Sequence, residues 1–401
     1  MSHGEQVIVF EEQMSWMHKT CKAIFLNVLS SLPHGQITIK ERGSLVAVYG
    51  DASSDLKAEV DIQSPVAYRH LLLGGSVASG ETYTDGLWTT PNLTNVIRIF
   101  ARNLPTLDKW EAKFKWLSLP AWKVKHFLNR NSQSQAKKNI SAHYDLGNTL
   151  YTRFLDESMM YSSAIYPDPN TSLADAQQHK LKSICDKLQL TSHDHLLEIG
   201  TGWGGLAVYA AKHYGCKVTT TTISEEQYAY AKQWVEKEGL EQQGKGRKKD
   251  YRLLEGKYDK LVSIEMIEAV GKEYLDNFFA KCSSLLHRSG LMVLQAITID
   301  DRRYDSYSRS VDFIQKHIFP GGFLPSQHVM NNTLKQHTDM MIRDLHDIGL
   351  DYAKTLADWR TAFLNSWSEL TSFGYDEQFK RLWLYYLAYC EGAFLERSTS
   401  T

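Results

Sequence analysis

The stretch LLEIGTGWGG, Leu196 to Gly205, closes an apolar run on closely spaced glycines and admits two ligand chemistries. Gly200, Gly202 and Gly205 satisfy G-x-G-x-x-G, the dinucleotide fingerprint, whereas Glu198 with Gly200, Gly202 and Gly204 satisfies acidic-x-G-x-G-x-G. A dinucleotide needs a carboxylate about 20 residues further on, at the end of the next strand, for its ribose diol. That strand end reads Thr219 to Ser224, and the next acids, Glu225 and Glu226, fall inside the following helix. An early acid such as Glu198 suits a ligand with an ammonium, a sulfonium and a nucleoside but no phosphate, namely S-adenosylmethionine. Glycines bring the backbone close to such a ligand, and a carboxylate favours its positive charge. On these residues alone, a nicotinamide site and a plain strand-to-helix turn remain alternatives.

Other side chains are candidates for chemistry. Glu268 follows the apolar run DKLVSIEM, where a carboxylate is costly without a partner, so a functional role is expected. Glu265 reads as an accessory or helix-start acid. Ser224 and Gln227 form S-x-x-Q, a capping box that is compatible with a cofactor contact by Gln227. His143 and Asp145 in HYD suit acid/base work or a structural cap equally. The histidines lack H-x-x-H spacing, and the five cysteines are scattered without a C-x-x-C pair, so neither a metal nor a disulfide frame is expected.

The elements that must position these residues follow an alternating pattern. After Ala142, helix Leu173 to Leu188 precedes strand HLLEIG and the glycine loop. Helix Leu206 to Tyr214, strand KVTTTTIS, helix Glu225 to Glu238, strand DKLVSIEM, a further helix and strand LMVLQAITI follow. Such alternation predicts an α/β, doubly wound, mostly parallel sheet with ligands at the carboxyl ends of its strands. Between Gly239 and Arg252 the hydrophilic text LEQQGKGRKKDYR predicts either a short strand or a basic loop. Residues 1–125 read as a small α+β domain, with a helix over Met14 to Leu32 and β-like runs QITIK and SLVAVYG. Between the two, Trp110, Phe114, Trp116, Trp122 and Phe127 alternate with lysines, which suits an anionic lipid interface or an interdomain linker.

Composition is that of a globular protein, 43% hydrophobic with formal net charge -1, and gives no general attraction to nucleic acid. No apolar run approaches the ~18 residues that span a bilayer, and the start MSHGEQVIVFEE has no secretory pattern. The expectation is a cytoplasmic protein, peripherally associated with the inner face of the membrane.

Eight motifs in order, HYDLGNTLY, MMYSSAIY, EIGTGWGGLA, TTISEEQ, MIEAVG, IFPGGFLPS, DYAKTLADW and YYLAYCEGAF, resemble the cyclopropane-fatty-acyl-phospholipid synthases and mycolic acid methyltransferases. The resemblance covers about 140 to 397 strongly and the N-terminal region, through GGSVASGETYTDGLW, more weakly. It implies a Rossmann-like class I methyltransferase domain over 126–401, behind a lipid-binding domain over 1–125. It also implies transfer of a methyl group from S-adenosylmethionine to the cis double bond of an acyl chain on a phospholipid, giving a cyclopropane. Tyr161, Ser162, Glu198, Gly200, Gly202, Gly204, Thr222 and Gln227 would hold the cofactor. In the family a bound bicarbonate serves as the base, held by a cysteine, a glutamate, a histidine and a tyrosine. The matching positions here are Ser163, Glu268, Gln295 and Tyr352, and Ala269 replaces the histidine of E-H-x-G. Serine and glutamine can still donate hydrogen bonds to an anion, yet losing the histidine removes a tunable proton acceptor. The product is therefore left between a cyclopropane, an exocyclic methylene, and a methyl branch formed with a partner reductase. Cys390 is implied as part of the acyl pocket, and a homodimer stays open. Outside the family, an NAD(P) oxidoreductase and a catalytically silent lipid-binding protein are the rival readings.

Overall fold

The computed structural model describes residues 14–114 and 147–401. These form two compact units. The first comprises the described residues up to Phe114 with Val311–Lys316 and Ser368–Ser398, and the second comprises the rest. The connector residues Trp116, Trp122 and Phe127, together with His143 and Asp145, lie outside the described residues.

The first unit carries strands β1 (Gln36–Glu41), β2 (Ser44–Gly50), β3 (Lys57–Ile62) and β4 (Trp88–Thr89), in the order β2-β1-β3-β4. Ile37 and Ile39 face inward along β1, with polar residues between them, the period of two that one buried face requires. The helix Trp16–Ser30 is capped by Ser15, whose hydroxyl accepts the His18 N–H.

The helix Glu377–Leu395 belongs to this unit, although the sequence reading assigned it to the methyltransferase domain. It buries Trp383, Tyr385 and Tyr386. Its C-terminal Glu396 accepts from Arg98 at 2.8 Å and from Arg102 at 2.7 Å, and Glu391 accepts from Thr94 at 2.9 Å. Gly80 lets the helix Val66–Thr84 pass close to Phe313 and Tyr385: a Cβ there would lie 2.2 Å from the Phe313 ring and 2.8 Å from Tyr385. Gly80→Ala gains about 0.5–1 kcal/mol of helix propensity. It loses about 1–3 kcal/mol to overpacking, so a lower unfolding midpoint in urea is expected.

The second unit is built on β5 (His195–Ile199), β6 (Lys217–Thr222), β7 (Gly244–Lys248), β8 (Tyr258–Ile264) and β9 (Leu286–Gln295). Their order is β7-β6-β5-β8-β9 and every pair is parallel. Successive residues point to opposite faces. Thus Leu196 packs with Leu181, Leu206 and Val218 on one side, while Leu197 packs with Leu261, Ile267 and Phe278 on the other. The chain leaves β5 for β6 on one side and returns to β8 on the other, so the switch point lies between β5 and β8. The basic text GKGRK forms β7, an edge strand, rather than a loop. Two further short strands, β10 (Thr298–Ile299) and β11 (Thr399–Ser400), pair antiparallel. Among the described residues no helix is long and apolar enough to cross a membrane.

Candidate functional site

Three strand ends deliver the site: Glu198 near the end of β5, Glu265 just past β8, and Gln295 as the last residue of β9. The glycine loop after β5 turns through left-handed backbone at Gly200 (φ 100) and Gly204 (φ 101). At Gly204 a Cβ would also come within 2.9 Å of the Ala231 Cβ. Both positions therefore exclude side chains, and the loop is pinned from within: the Gly200 and Thr201 amides donate to the Thr221 carbonyl and the Gly204 amide to the Thr201 carbonyl.

Glu198 is buried, its carboxylate accepts the Thr220 hydroxyl, and burial pushes its pKa up to about 8. Thr222 donates to the Gln227 side-chain oxygen at 2.9 Å, and Ser224 caps the helix Glu225–Lys237 by accepting the Gln227 N–H. The cap expected from S-x-x-Q is thus formed, with the Gln227 side chain held beside Thr222.

The second cluster departs from the sequence expectation. Ser163, Gln295 and Tyr352 do converge on one carboxylate, but it belongs to Glu265 and not to Glu268. Glu265 Oε1 accepts the Ser163 N–H at 2.9 Å and the Gln295 Nε2 at 2.8 Å, and Oε2 accepts the Tyr352 hydroxyl at 2.6 Å. The Ser163 hydroxyl, expected to face an anion, instead donates to the Ala164 carbonyl at 2.9 Å.

Glu268 receives the Ile297 N–H on Oε1, while its buried Oε2 has no partner among the described residues. Burial and, next, the nearby Glu265 push Glu268 up to about 8. Burial also raises Glu265, opposed by Tyr352, Ser163, Lys180 and Gln295. Both glutamates are enclosed by protein yet keep some accessible surface. Tyr161 lies in an aromatic cluster, 5.3 Å from both Tyr151 and Trp359, and Trp359 also meets Tyr352 edge-on at 6.2 Å. Ser162, expected at the cofactor, has its hydroxyl engaged by Lys180 at 2.7 Å. Cys390 is a half-buried residue of the first unit, whereas Glu265 and its partners belong to the second.

Residues 131–401 match the mycolic acid cyclopropane synthetase family. The chain belongs to this family. It is 37% identical to the tuberculostearic acid methyltransferase of Mycobacterium tuberculosis over 331 residues, 80% of this chain and 76% of that one. It is also 37% identical to the cyclopropane-fatty-acyl-phospholipid synthase of Escherichia coli over 358 residues, 88% and 87% of the two chains. Among solved structures, the mycolic acid cyclopropane synthase complexed with S-adenosylhomocysteine and CTAB superposes with a TM-score of 0.62 at 27% identity. That match covers 66% of this chain and 95% of the other.

This member of the mycolic acid cyclopropane synthetase family is accordingly an S-adenosylmethionine-dependent methyltransferase. The residues present fit that cofactor: side chains are excluded at Gly200 and Gly204, the buried Glu198 complements a cation once ionised, and Thr222 ends the next strand with the Gln227 side chain held beside it. They do not fit a bound bicarbonate, because the donors at Ser163, Gln295 and Tyr352 are already spent on Glu265.

The raised pKa of Glu198 makes a testable demand on cofactor binding. A neutral buried acid favours the free fold, so its contribution to stability is present at low pH and is lost as pH rises through about 8. The ligand's ammonium is best met by the ionised form. Calorimetry should therefore show S-adenosylhomocysteine binding more tightly as pH rises to about 8, with release of a proton below it. Glu198→Gln should flatten that slope.

Proposed function

We propose that this chain transfers the methyl group of S-adenosylmethionine to the cis double bond of an unsaturated phospholipid acyl chain. The observation that supports it most is a carboxylate buried beside an aromatic cluster: Glu265 is hydrogen-bonded to Tyr352, and Tyr352 packs on Trp359. An alkene is a weak nucleophile, so alignment and exclusion of water are needed. Aromatic faces favour the cation that methylation leaves behind, and a fixed base must then remove a proton. S-adenosylmethionine supplies the electrophilic methyl, while Glu198, the glycine loop, Thr222 and Gln227 hold it and Tyr161 and Trp359 form part of the apolar wall. The names of the relatives favour lipid as the substrate.

A cyclopropane is the first product reading. A methylene chain, reduced to a methyl branch by a partner enzyme, is the second; it is favoured by the glutamine and serine at positions 295 and 163 and by the name of the tuberculostearic acid methyltransferase. The protein would work at a membrane surface, where its substrate is embedded.

Incubation with methyl-labelled S-adenosylmethionine and vesicles of cis-unsaturated phospholipid should put label into the acyl chains, with none on saturated vesicles. Mass spectrometry separates the ring from the methylene by mild hydrogenation, which reduces the methylene and spares the ring. Label confined to a small soluble molecule would sink the lipid reading.

A further inference from the structure

We propose that the carboxylate of Glu265 itself takes the place that the family resemblance gives to a bound bicarbonate, and that its Oε2 accepts the proton lost by the methylated chain. The inference rests on the reading of lipid methyl transfer given above. Its basis is geometric. The residues matching three of the four anion-holding positions, Ser163, Gln295 and Tyr352, all donate to Glu265: the first two to Oε1 and the third to Oε2. Oε1 is saturated by its two donors, whereas Oε2 carries one and keeps a lone pair for a proton.

The backbone shows the same commitment. Glu265 adopts φ 44, a left-handed conformation that is uncommon for a residue with a Cβ. Such positions persist where the surroundings over-determine them. Here the Glu265 N–H is held by the Gln295 carbonyl at 2.8 Å while its carboxylate is held by the Gln295 amide, so one residue clamps both ends. A free anion at this place would also face two carboxylates, Glu265 and Glu268, whose mutual repulsion already raises Glu268.

The unusual glutamine then has a reason, and position 163 contributes only its backbone N–H. A cysteine and a histidine are not needed to retain a diffusible anion when the carboxylate is covalently part of the chain, and a neutral amide is enough to orient it. In the step itself the alkene π pair forms the bond to the methyl carbon while the carbon–sulfur pair stays on sulfur, leaving a cation on the adjacent chain carbon. Glu265 Oε2 takes a proton from the transferred methyl, and the released C–H pair closes the ring. If a hydride first shifts from the methylated carbon, the same proton transfer yields the exocyclic methylene. In both cases the proton ends on Glu265 and passes to water before the next turnover.

The test uses the full chain with vesicles of cis-unsaturated phospholipid, in buffer stripped of carbon dioxide, with and without added bicarbonate. The wild-type rate should be the same in both. Glu265→Gly relaxes the backbone and frees the three donors; in stripped buffer it should be slow, and bicarbonate should restore it by roughly tenfold or more. Carbon-13 bicarbonate should show line broadening with E265G and none with wild type, which reads the anion site without any lipid. A wild-type rate that falls on stripping, bicarbonate binding by wild type, or an E265G variant at full rate in stripped buffer would each overturn the proposal. A wild type that labels no lipid under either condition but binds no bicarbonate would instead remove the substrate reading and leave the anion site as described.

Discussion

Glu265→Gln is expected to lower kcat for methyl transfer by roughly 10²–10⁴-fold, the contribution of a positioned general base, while S-adenosylhomocysteine binding persists. The glutamine keeps the size of the side chain but presents an amide where Tyr352, Gln295 and the Ser163 N–H all donate, and it cannot take a proton. Glu268→Gln is expected to cost far less. Burial and the charge on Glu265 hold Glu268 at about 8, so below that pH it is a neutral acid that glutamine mimics. As pH rises through about 8 wild type gains a second negative charge that Glu268→Gln does not, and the two should diverge there. The check is kcat for both variants measured side by side; a larger loss at position 268 would return the base to the residue that motif matching selects.

The second large effect concerns Lys180, which is completely buried and donates to the Ser162 hydroxyl at 2.7 Å. Burial pushes its ammonium down to about 8, with Glu265 and Asp156 opposing the shift. It is the buried cation that keeps those carboxylates tolerable inside the second unit. Lys180→Met removes it and strands negative charge in a low-dielectric site, at a cost of about 3–5 kcal/mol. Adding Glu265→Gln should recover about 0.5–3 kcal/mol of that loss, because the two sites are coupled. Urea unfolding of wild type, both single variants and the double variant measures the coupling. Strict additivity would show that Lys180 does not stabilise Glu265.

Much of the second unit was legible in its sequence, for a physical reason. A parallel sheet covered on both faces demands continuous apolar strands, and HLLEI and KLVSI supply them. The strand β7 could be read only as one of two alternatives, a short strand or a basic loop, because it is an edge: its backbone pairs with β6 from Val218 to Thr222, while its side chains, GKGRK, stay largely exposed. The boundary near the C-terminus was hidden differently. RLWLYYLAYC announces a buried helix but not which core buries it, and that depends on Glu391 and Glu396 meeting Thr94, Arg98 and Arg102 nearly three hundred residues away in the chain.

At the site, the identity of the cofactor was readable from glycine spacing and the absent second acid. The base proposed here differs from the one that motif matching selects. Motif matching picks Glu268, and the rule that a carboxylate ending an apolar strand needs a partner applies equally to Glu265, three residues earlier. What separates the two is the left-handed backbone at Glu265, which aims its side chain at Tyr352, and no sequence pattern announces that conformation. The available signal was indirect: Ser163 and Gln295 depart from the family pattern together, and a second acid, Glu265, stands at the strand end beside Glu268.

The most direct measurement is a crystal structure of the full chain with S-adenosylhomocysteine, grown in bicarbonate-containing buffer. Density for the Glu265 carboxylate on the Ser163 N–H, the Gln295 amide and the Tyr352 hydroxyl, with no separate anion among them, is the predicted result. A planar anion on those three donors, with Glu265 turned away and Glu268 facing it, would contradict the account.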